Sequence, residues 1–103
     1  MNIEGGSYTL WEEFYNASIR LLKMEKYTEA KRLAKKSLNE AIDVYGSSHS
    51  TSGMSLFLLG LISQYQAEFA ESEVFYEKAL SIFERIFPAN DIVVLNVLQN
   101  LAF

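Results

Sequence analysis

A serine nucleophile beside a general base is the first chemistry this sequence offers, since Ser47, Ser48 and Ser50 surround its single histidine, His49. Neighbours in one loop do not reach each other in the geometry that activates a serine, and no carboxylate is placed to orient the imidazole. Carboxylates also occur close together at Glu12-Glu13 and at Glu71 and Glu73. Two carboxyl groups can divide acid and base work, but these fall on polar helix ends or faces, where solvated charge is the simpler role. The chain has no cysteine, which excludes a thiolate nucleophile, a disulfide scaffold and thiolate metal ligands. One histidine cannot build a histidine-rich metal site. Gly5-Gly6-Ser7 lacks the strand, lysine and helix of a phosphate-binding loop. The expectation is a protein that is not an enzyme, with no catalytic residue, no cofactor and no metal.

The elements that would carry any site follow from apolar spacing. Thr9-Leu10-Trp11-Glu12 has the form of a capping box, in which threonine and glutamate satisfy each other's free amides. Leu10, Phe14, Ala17 and Leu21 then recur at helical spacing and predict a first helix over 10–24. Glu25-Lys26-Tyr27-Thr28 reads as a turn with Thr28 capping the next helix. That helix carries Ala30, Leu33, Ala34, Ser37, Leu38, Ala41 and Tyr45 on one face and ends at Gly46. Ser47 to Thr51 is a polar loop. A third helix is predicted over 51–66, a fourth over 70–87, and a fifth begins after Asn90 or Asp91 caps it.

Length and charge bound the rest. The 103 residues allow one domain, half of them are hydrophobic, and only Pro88 and five glycines punctuate the chain. Residues 1–36 carry seven basic and five acidic side chains, whereas 37–103 carry two basic and eight acidic. A net charge of −4 repels a phosphate backbone, so nucleic acid is not an expected partner. The cluster Lys31, Arg32, Lys35, Lys36 reads as a solvated helix face; only it would support a nucleic-acid or small-ligand sensor. The longest apolar stretch, Leu56 to Ile62, is too short to cross a bilayer that needs about 20 residues. The N-terminus has no basic, apolar leader. No membrane association and a cytoplasmic location are therefore expected.

The chain repeats itself at 42 residues. Tyr27 answers to Phe69, Glu29 to Glu71, Ala30 to Ser72, Leu38 to Leu80 and Tyr45 to Phe87. Phe14 answers to Leu56 and Leu98, Ala17 to Leu59 and Leu101, and Ser18, Gly60 and Ala102 are all small. The pattern is of residue class, large against large and small against small, as stacked helical hairpins require. Three stretches carry a family likeness: Lys26-Tyr27-Thr28-Glu29-Ala30 with its counterpart from Glu68, Gly46-Ser47-Ser48-His49-Ser50, and Leu98-Gln99-Asn100-Leu101-Ala102. Together they resemble the tetratricopeptide repeat, in the lengthened form found in kinesin light chains.

That resemblance implies an all-α fold of about five helices, in which antiparallel hairpins stack into a right-handed superhelix. Residues 1–9 would be a flexible segment and 10–103 the repeat domain: repeat one over 11–52, repeat two over 53–94, and a partial third over 95–103. It makes His49 a loop residue that helps cap the following helix. The second repeat has Phe57-Leu58 where the kinesin group has paired asparagines, so that group's peptide site is not carried over whole. Ending in apolar Leu101-Ala102-Phe103, the chain is expected to be a fragment of a longer array.

In such hairpins the first helix of each pair lines the concave groove. The residues left free there are expected to bind a partner protein or peptide: Tyr15, Asn16, Ile19 and Lys23; Phe57, Leu61, Gln64 and Tyr65; Asn96, Gln99 and Asn100. Tyr15, Phe57, Leu61 and Tyr65 would grip apolar groups, and Asn16, Lys23, Gln64, Gln99 and Asn100 would hydrogen-bond. Glu12, Met54, Leu58 and Phe103 share this face. The alternative is a structural segment that forms a homo-oligomer through the groove or through exposed repeat ends. Two packing expectations accompany these: Phe75 lies between the helices of the second hairpin, and Lys31 faces Glu73 as Lys35 faces Glu77.

Overall fold

The computed structural model describes residues 9–88 and 91–101, with side chains through Gln99. Five helices follow in order: α1 (Leu10–Lys23), α2 (Tyr27–Tyr45), α3 (Ser50–Tyr65), α4 (Phe69–Ile86) and α5 (Ile92–Leu101). No strand occurs among the described residues. Residues 1–8 of the expected N-terminal segment, Asn90 as a cap, and Ala102 and Phe103 lie outside them.

Local chemistry sets the helix ends. Thr9 Oγ1 accepts from the Glu12 amide at 3.2 Å, satisfying one free donor of α1. His49 Nδ1 accepts from the Thr51 amide at 3.1 Å and starts α3. Asp91 Oδ1 accepts from the Val93 amide at 2.9 Å and starts α5. Gly46, at φ 97°, stops α2 in a conformation that side chains rarely adopt. Thr28 is not a cap: α2 begins at Tyr27, after Lys26, with no side-chain capping bond. The chain instead turns directly out of α1. The Glu25 amide bonds to the Leu22 carbonyl and the Lys26 amide to the Leu21 carbonyl, both at 2.9 Å, so two orphan carbonyls are closed by backbone alone. The turn between α3 and α4 repeats this with Ala67 to Gln64 and Glu68 to Ser63, at 3.0 and 2.8 Å.

α1 packs on α2 and α3 on α4 as hairpins, α2 packs on α3 between them, and α4 packs on α5. Two apolar clusters result. One joins Ala30, Ala34, Leu58, Leu59 and Ile62. The other joins Leu56, Tyr76, Ala79, Ile82, Phe83, Val94 and Val97. α3 contributes to both and is buried on most sides, which is why its sequence has no polar face. Leu58 belongs to the first cluster, with 4% of its surface exposed, and not to an open groove.

Two further expectations need correction. Phe75 is half-buried and touches both clusters, so it spans the join between repeats; the side chain filling the second hairpin is Tyr76, 2% exposed. Lys31 pairs with Glu68 at 2.7 Å and with Glu71, not with Glu73, while Lys35 and Glu77 form no ion pair. The reason is register: α2 and α4 lie with their N-terminal turns opposite each other, and the acids at the very start of α4 are the ones within reach.

The hairpin crossings also refine the rule of equal volumes. The Ser18 hydroxyl on α1 donates to the Ala30 carbonyl on α2 at 2.6 Å. One repeat later the Ser72 hydroxyl on α4 donates to the Gly60 carbonyl on α3 at 2.8 Å. The same contact is made with the donor moved to the opposite helix. Bulk moves too: Trp11 and Ala41 stand where Gly53 and Phe83 stand 42 residues on, whereas Ser18 and Ala34, both small, stand where Gly60 and Tyr76 stand, so that second place gains a ring.

Candidate functional site

The residues to which sequence pointed lie on α1, α3 and α5. Asn16, Lys23, Tyr65, Asn96 and Gln99 are exposed, and Tyr15, Ile19, Phe57, Leu61 and Gln64 are half-buried. The Asn100 side chain lies outside the described residues. Of the further residues on this face, Met54 is exposed and Glu12 is half-buried.

On α1, the Tyr15 ring stacks on Trp11 with centroids 4.9 Å apart. Burial raises its phenol above the usual tyrosine value. Tyr15 and Ile19 both pack against the cluster of Leu58, Leu59 and Ile62, which seats α1 beside α3. On α3, Phe57 tilts against Tyr76 at 5.4 Å, and Gln64 Oε1 accepts from the Tyr76 hydroxyl at 2.8 Å. Phe57 and Gln64 thus hold one buried ring from two sides. Burial pushes the Tyr76 phenol up to about 12. Tyr65 faces elsewhere: its ring stacks on Tyr27 at the start of α2, centroids 5.7 Å apart and planes 12° from parallel. Phe57 and Tyr65 are eight residues apart, which on an α-helix displaces them by roughly 80°. The row Phe57, Leu61, Tyr65 therefore fans from α4 towards α2.

Tyr27 and Tyr76 are the partners that sequence reasoning did not place here. Both lie on second helices, and spacing within one helix carries no information about which ring leans across to the next. A repeat-based signal existed for Tyr76: where the first repeat has Ser18 and Ala34, the second has Gly60 and Tyr76, a ring gained together with a glycine that makes room for it. Gln66 Oε1 was also missed; it is buried without a hydrogen-bond partner, next to a hollow of about 380 Å³ lined by Glu25 to Glu29.

Two of the loop residues considered for catalysis make other contacts. His49 Nδ1 is occupied by the α3 cap, and the His49 ring stacks on Tyr45 at 4.7 Å. The Ser48 hydroxyl receives the Arg85 guanidinium at 3.4 Å. Among the described residues no three His, Asp or Glu side chains gather as a metal ion would need, and no helix is long and apolar enough to cross a membrane.

The side chains to which sequence pointed are thus rings, aliphatic groups, amides and one lysine. A comparison with curated proteins finds no match to the chain. The family description that does match is the tetratricopeptide repeat, over residues 14–85. That span runs from the first turns of α1 to the last turn of α4, the two hairpins whose crossings repeat at 42 residues. The chain belongs to the tetratricopeptide repeat family.

Proposed function

We propose that the chain is a protein-interaction scaffold that takes a peptide or helix of a partner protein on the face of α1, α3 and α5, in a cytoplasmic setting. Repeats of this family are in general protein-interaction modules. The observation that carries the proposal is the state of α3. Leu58, Leu59 and Ile62 are buried, yet Phe57 and Leu61 on the same turns remain partly open, and Asn16 and Lys23 on α1 and Gln99 on α5 are exposed. Apolar grip next to amides suits helix or extended-peptide recognition. Tyr15, Ile19, Phe57, Leu61 and Tyr65 would supply contact area, and Asn16, Lys23, Gln64, Asn96, Gln99 and Asn100 the polar contacts. The 42-residue period supports the lengthened, kinesin-light-chain-like form of the repeat. Both interhelical turns recur in it with the same backbone bonds.

A second reading has one observation of its own. α5 buries Val94 and Val97 but exposes Ile92 at 71%, Leu95 at 49% and Leu98 at 42%. An exposed apolar row on a terminal helix suits pairing with another copy or with a further repeat. One experiment separates the two. Leu61→Asp places a charge in the partly open patch, and desolvating it against a partner costs several kcal/mol. Peptides selected on the parent protein from a display library should be lost while helicity by circular dichroism persists. Loss of helicity would assign Leu61 to the core and end the proposal. Intact helicity with a dimer that Leu61→Asp leaves whole and Leu95→Asp splits into monomers would favour the second reading.

A further inference from the structure

α2 and α4 face each other at both ends. Lys31 ties their N-terminal turns together through Glu68 and Glu71. Towards their C-terminal halves a cleft of about 430 Å³ opens, closed at one end by Ser47 and Ser48 of the loop after α2. Its floor is apolar, formed by Leu38, Ile42, Leu56 and Ile82, and its rim carries Lys78 and Arg85. These are the only two basic residues beyond residue 36. Both are exposed, and among the described residues neither forms an ion pair and no carboxylate lines the cleft. The C-terminal two-thirds of the chain is strongly acidic, so an acid-free cleft holding both of its cations has a sign opposite to its surroundings.

Arg85 lies in the last turn of α4, where a cation complements the helix dipole. Lys78 is in mid-helix, where the dipole gives it no such role. The two are seven residues apart, so they sit on one face, about 10 Å apart along the axis. Ser81 and Ile82 lie between them. The geometry points to a second docking site, one for an acidic amphipathic helix of a partner protein. Two acidic residues seven apart on that helix would meet Lys78 and Arg85, and the apolar residues midway between them would enter the cleft. The matching periods of two helices lying side by side supply the register. Opposite charges supply steering and orientation more than raw affinity.

The test is a heteronuclear NMR titration of the full chain. The probe is an acetylated, amidated helical peptide with two glutamates seven residues apart and a leucine pair midway between them. Amide shifts should concentrate at Ser47, Ser48, Ser81, Ile82 and Arg85. The peptide with glutamines in place of both glutamates should bind at least about tenfold more weakly, as should the parent peptide to the Lys78→Gln, Arg85→Gln double variant. Each tenfold loss corresponds to about 1.4 kcal/mol. Both residues are exposed, so the variant should keep its helicity. Ser81→Asp, which sets an anion between the two cations, should abolish binding, and Leu61→Asp should leave it unchanged. Equal binding of the glutamate and glutamine peptides would overturn the proposal. So would shifts confined to α1 and α3, or saturation of the cleft by octanoate with no response to the peptide.

Discussion

Glu25 and Ala67 hold φ values of 61° and 62°, the left-handed region in which a side chain costs roughly 1–2 kcal/mol. Each stands just past the residue that caps a helix C-terminus, Met24 or Gln66, and donates one of the backbone bonds that end that helix. Glycine is the residue that this place favours, and neither repeat uses it. That absence is why the sequence misled at this point. Without a glycine marker, the turn read as a longer loop and Thr28 as a cap, although turn and repeat period were both legible. Ala67→Gly should therefore stabilise the protein. Relief of the strained backbone outweighs the extra freedom that glycine has in the unfolded chain, about 0.4–1 kcal/mol. The expected gain is about 0.5–1 kcal/mol in denaturant melting. Ala67→Val, β-branched at the same angle, should lose stability instead. A loss with glycine would mean that the Ala67 side chain makes a contact worth more than its strain.

At the scale of helices, the two hairpins reach one geometry with few shared residues because bulk and hydroxyl can change sides. Gly60 lets the Tyr76 ring lie against α3: a Cβ there would stand 2.6 Å from Tyr76 Cδ1 and 2.7 Å from Cε1. Gly53 makes the same allowance for Phe83, at 2.7 Å from Cε1. Tyr76 has little room to retreat, since Phe57 lies against its ring and Gln64 accepts from its hydroxyl. Helix propensity alone favours Gly60→Ala by about 1 kcal/mol. Overpacking a fixed ring costs typically 1–3 kcal/mol, and the ring should win. Gly60→Ala is expected to lower stability by about 1–2 kcal/mol in urea melting, with Gly60→Ala, Tyr76→Leu recovering part of the loss. A stabilised Gly60→Ala protein would show that Tyr76 does not rest on Gly60. The helices themselves were legible from period and punctuation to within a residue or two. The pairing of large with small was not, because it is a property of two helices at once. Reading each helix alone placed Phe75 in the hairpin and Leu58 in the groove.

The two hairpins make one molecule through a seam between α2 and the second repeat, and two unlike devices cross it. One is a buried chain of hydrogen bonds. Trp11 Nε1 donates to Ser55 Oγ at 2.8 Å, the Ser37 and Ser55 hydroxyls lie 2.8 Å apart, and Ser37 donates to the Ala34 carbonyl at 2.7 Å. Ser37 spends its one proton on that carbonyl, so Ser55 must donate to Ser37, and the chain has a single direction from α1 through α3 to α2. The other device is Lys31 with Glu68 and Glu71. Burial opposes the Lys31 charge, but hydrogen bonds to the two acids hold its ammonium above the usual lysine value. Glu71 is held below the usual carboxylate value, chiefly by its bond to Lys31. Both acids are exposed, so this pair is worth at most about 1 kcal/mol. Ser55→Ala leaves a buried indole N–H without an acceptor, and an unsatisfied buried donor costs about 1–3 kcal/mol. Ser55→Ala should therefore destabilise the protein more than Lys31→Ala does. The Lys31→Ala loss should shrink as salt rises from about 0.05 to 1 M, across which screening shortens several-fold, while the Ser55→Ala loss should not move. Denaturant melts of both variants at the two salt concentrations check this. If the order is reversed, the ion pair and not the buried chain joins the repeats. A salt-sensitive Ser55→Ala loss would mean that the seam opens to solvent.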